Sequence, residues 1–354
     1  MTVLAARKPP GAAFLDQKPA TQPSISVLIP ARDAAATLDA TLESVRRQTL
    51  RDFECLIVDD GSVDATSAVA ARMTNRDARF RLISTEPRGL VSALNTGLAD
   101  CRATLIARMD ADDLMRRDRL EKQYAAFTRD PDLALLGTHT RIFPRARMGH
   151  GLHAYQDWLQ SIRTPVEIRR ERFIESPLPH PTWMIRRSVL TEFPYRETRW
   201  SEDYDLILRL AEAGRKLDIL PQRLLLWREH PDRLTHRAET LTIESFVAAK
   251  AHFLASGPLR DSSRYILCGY GHTGRALRRA LLTYDRQPSH IVDVHPRRLG
   301  KIIHGAPVVP VTALPGLPDE PILVSVAGAG PRQKVRAELA AVGRVEGRDF
   351  FCTA

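Results

Sequence analysis

The sequence predicts an α/β protein built on a doubly wound parallel sheet, followed by a smaller unit of the same class. Three observations lead there: short apolar runs alternate with amphipathic helical patterns from residue 24 onward, acidic residues and glycines cluster where those runs end, and the alternation restarts after Ser263. In order, "ISVLIP" reads as a buried strand, "AATLDATLESVRRQ" as an amphipathic helix, "FECLIVDD" as a second strand, "DATSAVAARMTN" as a second helix and "FRLIST" as a third strand. "GLVSALNTGLADC" then reads as a helix and "ATLIARMD" as a fourth strand. Helices between successive strands imply parallel βαβ crossovers, and ligands of such sheets gather at the carboxyl ends of the strands. That rule brings together Pro30 to Asp33, Asp59 to Asp64 and Asp110 to Asp113, each group directly following a strand.

Between residues 140 and 200 the pattern loosens around the proline-rich "FIESPLPHPTWMIRRSVL", where two short strands are expected. A helix "SEDYDLILRLAEAG" and a strand-like "DILPQRLLLWREH" follow. The predicted organisation is a disordered lead-in over 1–23, a main domain over 24–236, a connecting helix over 237–257 and a smaller domain over 258–354, with the boundary near Gly257 and Pro258.

Composition narrows the partners. The chain has 354 residues, 44% of them hydrophobic, and a formal net charge of +10 carried largely by arginine. That balance favours anionic partners such as nucleotides, pyrophosphates or phospholipid headgroups, the last as a peripheral contact at the inner face of a membrane. Nucleic acid is not expected, because zinc-finger spacing and an aromatic RNA-binding signature are both missing and the basic residues are scattered. Cys55, Cys101, Cys268 and Cys352 lie far apart in no metal-ligand spacing and read as reduced thiols, which implies the cytosol. No stretch approaches the roughly 18 apolar residues of a membrane span, and the first residues have too short an apolar run for a signal peptide.

Two acidic groups carry the chemistry. In "IARMDADDLMRRDRLEKQ", Asp110, Asp112 and Asp113 crowd within four positions. Like charges that close repel one another and resist burial, so the cluster either stays in water or serves a cation. Alternating aspartates can hold one Mg2+ or Mn2+ shared with pyrophosphate oxygens. In "IVDDGSVDAT", Asp64 is placed to cap the following helix, while Asp60 at the strand end can accept the N3–H of a uracil ring or a ribose hydroxyl.

The segments "SVLIPARDAAATLDATLESVRRQ", "ECLIVDDGSVDAT", "GLVSALNTGL", "IARMDADD", "RLEKQ", "HPTWMIRRSVL", "SEDYDLILRLAEAG" and "LLLWREH" occur in the order and roughly the spacing of family-two glycosyltransferases of the GT-A fold. The resemblance spans residues 24 to about 236. It implies metal-dependent, inverting sugar transfer from a nucleotide-sugar donor, UDP-linked, to a glycan or lipid-linked acceptor in surface polysaccharide or glycoconjugate synthesis. Carried onto matching positions, Pro30, Ala31, Arg32, Asp33 and Asp60 would line the nucleoside pocket, and Asp110 would meet ribose or metal. Asp112 and Asp113 would hold metal and diphosphate, with His230 matching a histidine near the diphosphate and joining the metal set. Glu202 and Asp203 match the acidic pair near the acceptor, with Asp203 the general base. Its position in the first turn of an amphipathic helix suits that role, since an inverting transfer needs a carboxylate to deprotonate the acceptor hydroxyl. His180, between prolines, either touches the acceptor or fills the core. Two departures stand out: Asp33 where relatives commonly have Asn, and Leu94 where many have Arg.

The C-terminal "GYGHTG" sets Gly269, Gly271 and Gly274 between a strand and a helix, with Asp293 at the end of the next strand. That is the layout of a dinucleotide fingerprint and predicts a Rossmann-like unit that either binds a nucleotide or serves as a structural or docking module. Every residue assigned to chemistry lies before it, so it is expected to be accessory. Two rival functions remain: a bifunctional chain whose second unit is an NAD-dependent sugar-modifying enzyme, against which stands the lack of a Tyr-x-x-x-Lys pair after the glycine loop, and a non-catalytic nucleotide-sugar sensor.

Overall fold

The computed structural model describes residues 22–231, 233 and 242–354. The predicted lead-in up to residue 21 and the first part of the predicted connecting helix, 237–241, lie outside the described residues.

The chain runs β1 (Ile25–Ala31), α1 (Ala35–Arg46), β2 (Phe53–Asp60), α2 (Thr66–Arg76), β3 (Phe80–Thr85), α3 (Leu90–Asp100), β4 (Leu105–Arg108), β5 (Leu114–Met115), α4 (Arg119–Arg129) and β6 (Leu133–Phe143). It continues with α5 (His150–Ser161), α6 (Pro165–Glu171), β7 (Met184–Arg186), α7 (Arg187–Glu192), α8 (Glu202–Glu212) and β8 (Lys216–Arg228). These strands form one sheet in the order β3-β2-β1-β4-β7-β6-β8-β5. The first four pair in parallel, as the alternating pattern requires. β7 then inserts antiparallel to both β4 and β6, and β5 pairs antiparallel to β8. The helix α5 and the two-residue β5 are not visible in the hydrophobic pattern. β1 and β2 are buried along their whole length because helices cover both faces, which is why they read as continuous apolar runs. One face packs Leu38, Leu42 and Val45 of α1 against Ile25, Val27 and Ile29; the other packs Leu94, Leu206, Ile207 and Leu210 against Leu28, Leu56 and Val58.

After α9 (Ile243–Ser256) come β9 (Arg264–Cys268), α10 (His272–Leu282), β10 (Gln287–Val292), β11 (Ile302–Ile303), β12 (Ala306–Val309), β13 (Ile322–Val324), α11 (Ala329–Ala341) and β14 (Phe350–Cys352). They make a second sheet, β11-β12-β10-β9-β13-β14, parallel except for β11. The two sheets are not independent. One core joins Phe173, Trp200, Tyr204 and Leu208 of the first to Tyr265, Leu267, Leu323 and Phe351 of the second, with Ala249, Phe253 and Leu254 of α9 between them. At its rim Arg336 Nη2 donates to Glu171 at 2.8 Å and to Glu346 at 2.9 Å, and buried Lys250 donates to the carbonyls of Ile174 and Thr353 at 2.6 and 3.0 Å. All four cysteines are buried and unpaired. No helix among the described residues is long and apolar enough to cross a membrane.

Candidate active site

The strand-end loops of the first sheet meet as expected, held by a dense set of hydrogen bonds. Asp33 adopts φ 48°, a conformation that Asp and Asn tolerate better than other side chains, so the Asp for Asn departure keeps the backbone requirement. Its Oδ1 accepts from the Val63 amide at 2.9 Å, and its own amide donates to Ser62 Oγ at 3.0 Å. Asp64 accepts from the amides of Thr66 at 2.9 Å and Ala35 at 3.0 Å, so it ties the two loops as well as opening α2. Pro30 and Ala31 are buried in β1, leaving Arg32 and Asp33 as the members of that run with exposed side chains.

Asp60 is 3% exposed, and both its oxygens are engaged: Oδ1 accepts from the Arg88 amide at 2.8 Å, Oδ2 from the Gly89 amide at 2.9 Å and from Arg32 Nη1 at 3.5 Å. Its first task is thus to hold the β3–α3 turn, and any contact with a base would use a remaining lone pair. Leu94 is wholly buried among Leu28, Val58 and Ile106, so the position that carries Arg in many relatives is core in this chain.

The β4–β5 loop carries the aspartate cluster. Thr37 and Thr41 of α1 donate to the Ala111 carbonyl at 3.1 and 3.0 Å, and Thr41 also to that of Asp113 at 2.8 Å, fixing the loop over the helix. Pairing of β5 with β8, Leu114 opposite Leu226, carries the end of β8 to the same place. There the Arg228 amide donates to Asp113 Oδ1 at 2.7 Å, and His230 Nε2 bonds Asp112 Oδ2 at 2.8 Å. One ligand oxygen from each of Asp110, Asp112 and Asp113 lies within 4.8 Å of the others. Asp110 therefore belongs to the cluster itself, and His230 sits on it through Asp112.

Negative charge is concentrated here. Burial, and then the charge of Asp110, pushes the Asp112 carboxyl up; burial, with both neighbouring aspartates, pushes Asp113 well above the usual range. Asp113 is fully buried, and its Oδ2 has no hydrogen-bond partner among the described residues. An orphaned carboxylate oxygen facing two further carboxylates is a set that hard divalent cations accept. The residues fit a metal ion.

The second acidic site lies at the start of α8, where Ser201 caps the helix. Glu202 meets His180 Nδ1 at 3.4 Å, and His180 Nε2 meets the Tyr195 hydroxyl at 2.8 Å. Burial, and then the charge of Arg108, lowers the His180 pKa to about 4, so the ring is neutral, donating from Nδ1 to Glu202 and accepting from Tyr195 at Nε2. His180 is 5% exposed, with its two ring nitrogens turned to Glu202 and Tyr195. Burial works against the charge on Glu202, but the His180 hydrogen bond, a backbone hydrogen bond and nearby positive charge, Arg108 included, together outweigh it and hold the carboxyl low.

Asp203 goes the other way. Burial, and then the charge of Glu202, raises it to about 8. Its Oδ1 accepts from the Ser201 hydroxyl and from the Tyr204 amide at 2.6 Å, while Oδ2 has no donor among the described residues. Two adjacent carboxyls driven apart in this way are a common arrangement for acid–base chemistry.

Several participants escape sequence reasoning. Arg108, at the end of β4 and 4% exposed, is paired with Asp110, and its charge also acts on Glu202, Asp203 and His180, so it links the two acidic sites. A lone arginine ending an apolar strand was the available signal. Arg119 and Gln123 explain "RLEKQ": Arg119 Nη2 donates to the carbonyls of Arg108 and Trp183 at 2.9 and 3.2 Å, and Gln123 Nε2 to those of Leu136 and Thr182 at 2.9 Å, bracing β4, β6 and β7. The Tyr155 ring of α5 lies 6.0 Å from that of Trp227, and Arg233 stacks over the Trp227 ring at 4.5 Å from its centroid.

Residues 26–193 match the sequence profile of Glycosyl transferase family 2. That segment, just under half of the chain, is similar to family 2 glycosyltransferases. Among curated relatives, the chondroitin synthase of Escherichia coli is 31% identical over 194 residues, covering 54% of this chain and 27% of that protein. The O-antigen biosynthesis glycosyltransferase WbnJ of Escherichia coli is 28% identical over 259 residues, 72% of this chain and 96% of that one. This chain thus spans about a quarter of the first relative and nearly all of the second. In fold, residues 1–349 of TarS from S. aureus, solved with UDP-GlcNAc, align with a TM-score of 0.53 at 16% identity, covering 73% of this chain and 71% of that one. The glycosyltransferase domain therefore has the GT-A architecture.

In the second sheet, Gly269 has φ 90°, and a Cβ on Gly274 would lie 2.1 Å from the Gly269 carbonyl oxygen, so strand and helix approach closely there. A Cβ on Gly271 would meet nothing within 4 Å. Asp293 is occupied internally: it accepts from the amides of Tyr270 at 3.1 Å and His295 at 2.8 Å and from Arg298 Nη1 at 2.6 Å.

Proposed function

We propose that the chain is a metal-dependent, inverting glycosyltransferase that moves a sugar from a UDP-sugar to a hydroxyl of a glycan or lipid-linked acceptor in surface polysaccharide or glycoconjugate synthesis. The observation that carries this reading is the contrast between the two acidic sites joined by Arg108: one short of a cation, the other holding a carboxyl poised near neutral pH with a free oxygen. TarS bound to UDP-GlcNAc, and relatives named for chondroitin and O-antigen synthesis, support the donor and product class.

In this reading Asp110, Asp112 and Asp113 hold Mn2+ or Mg2+, with His230 orienting Asp112. The bound cation supplies Lewis-acid stabilisation of the leaving diphosphate. Asp203 Oδ2 takes the acceptor hydroxyl proton as that oxygen attacks the anomeric carbon. A base near pKa 8 is strong, with about a tenth of it ionised at pH 7 and the share rising as pH climbs. Glu202 stays charged, holds Asp203 high, and is itself oriented by His180. Arg32, Asp33 and the remaining lone pairs of Asp60 frame the nucleoside, and Tyr155 with Trp227 offers ring faces to the acceptor sugar. Residues 24–236 supply all of this, in the cytoplasm or at the inner face of the membrane, and 258–354 form a Rossmann-like accessory unit. Screening a panel of nucleotide sugars for release of UDP with and without Mn2+ tests the proposal; donor breakdown unaffected by chelator, or none with any nucleotide sugar, would overturn it.

A further inference from the structure

Beside the glycine turn of the second sheet lies a recess of about 410 Å³ lined by Tyr270, His272, Arg275, Arg278, Arg279 and His304. Its chemistry is one-sided. His272, Arg275 and Arg279 are three and four residues apart on α10 and so share a face, with Arg278 beside them. The opposite face, Gly274, Leu277 and Leu281, is buried. α10 contains no acid, and among the described residues no carboxylate pairs with any of its three arginines. Arg278 Nε is buried with no acceptor among the described residues.

This placement works against the helix. Arg275 and Arg279 repel at i,i+4, and Arg275 stands next to the first turn, where the helix dipole disfavours cations. The N-cap, Gly271, offers no side chain to the first amides. The acid that would neutralise the region, Asp293, is consumed by Tyr270, His295 and Arg298. His304, also in the lining, adopts φ 50° in the turn between β11 and β12, a left-handed conformation that histidine visits more readily than most side chains. Its ring stands 6.5 Å from that of Tyr270. A pocket walled by unneutralised arginines suits one ligand chemistry: a phosphoryl or diphosphoryl group, which arginine forks bind through paired hydrogen bonds.

We infer that this recess is a second anion site, separate from the aspartate cluster, that takes a phosphate-bearing molecule. The group is either on a soluble metabolite or on a lipid headgroup.

The experiment uses the full chain in chelator, which silences the metal-assisted site, and measures binding of inorganic pyrophosphate by calorimetry and of vesicles containing phosphatidate by co-sedimentation. Arg275→Gln/Arg279→Gln, both exposed, is compared with Arg344→Gln/Arg348→Gln, which removes the same charge elsewhere on the unit, and with Asp112→Asn. The expected result is a loss of at least about tenfold in the first variant alone. Loss in the pyrophosphate arm identifies a soluble ligand; loss confined to the vesicle arm identifies a headgroup. Equal loss in both arginine variants, loss in Asp112→Asn, or no loss in either arm would overturn the inference. Circular dichroism of each variant checks that it remains folded.

Discussion

The carboxyl edges of the two sheets share an architecture and have opposite electrostatics. At the first, Asp110, Asp112 and Asp113 converge and one buried carboxylate oxygen is left over; at the second, the acid Asp293 is fully used and the arginines of α10 are left over. A parallel sheet delivers strand ends and helix starts to one edge. Which side chains remain unsatisfied there then decides whether the edge attracts a cation or an anion. The difference also extends to pKa: the first edge raises Asp203, whereas at the second Asp293 is lowered, because hydrogen bonds from His295, Arg298 and Tyr270 outweigh its burial.

The sharpest way to break this comparison is Asp203→Asn. It should lower turnover by about two to four orders of magnitude, the range for a lost general base, while UDP affinity stays nearly unchanged. A variant retaining most of its rate would remove Asp203 from the base role. Next in size is Arg336→Met, which strips a shared cation from Glu171 and Glu346 at the seam between the sheets. Breaking such a buried pair should cost roughly 3 kcal/mol, read from urea unfolding. If stability were unchanged, the second unit would be a loosely attached appendage after all. Deleting residues after Gly257 is the harsher version: although the deleted part carries none of the catalytic assignments, it covers Tyr204, the residue after Asp203.

Asp112→Ala should then weaken Mn2+-supported UDP binding at least about tenfold by calorimetry, without unfolding the protein. Pyrophosphate binding in chelator should be untouched, which sharpens the separation of the two edges. A further effect concerns pH. Asp203 rises from an ordinary value near 3.8 to about 8 on folding, so the folded state holds its proton more tightly. That group favours folding below pH 4 and loses its contribution as pH climbs through 8. Asp203→Asn removes the dependence, so its melting temperature should gain on the parent by more at pH 8.5 than at pH 5. A constant difference across that window would contradict the raised value.

Much of the first edge was legible because strand ends announce themselves: apolar runs stop at Asp60 and Arg108, and acids follow. The pair at Glu202 and Asp203 was legible because acids open an amphipathic helix behind the capping Ser201. What stayed hidden depended on backbone atoms and distant partners. The amides of Arg88 and Gly89 that occupy Asp60 carry no sequence mark, and neither do those of Tyr270 and His295 that occupy Asp293. Arg108 gave a visible signal, a charge in an apolar strand, whose meaning required β7 and α8 to be folded beside it. β7 reversed direction within a stretch too short and too rich in proline to show a period. The arginines of α10 carried no signal of their own, since a sequence does not say which charges lack partners.

The seam between the sheets sets a timetable for synthesis. Lys250 donates to the Thr353 carbonyl, 103 positions later in the chain, and Phe351 completes the core under Trp200 and Tyr204. At about 5–20 residues per second a ribosome reaches Thr353 some 5–20 s after it has made Lys250. Throughout that interval the first sheet is already translated while one flank of α8 faces water, and the Lys250 ammonium waits for a carbonyl that does not yet exist. The nascent chain is for those seconds a natural client for chaperones, and slowing translation downstream of α9 would prolong its exposure.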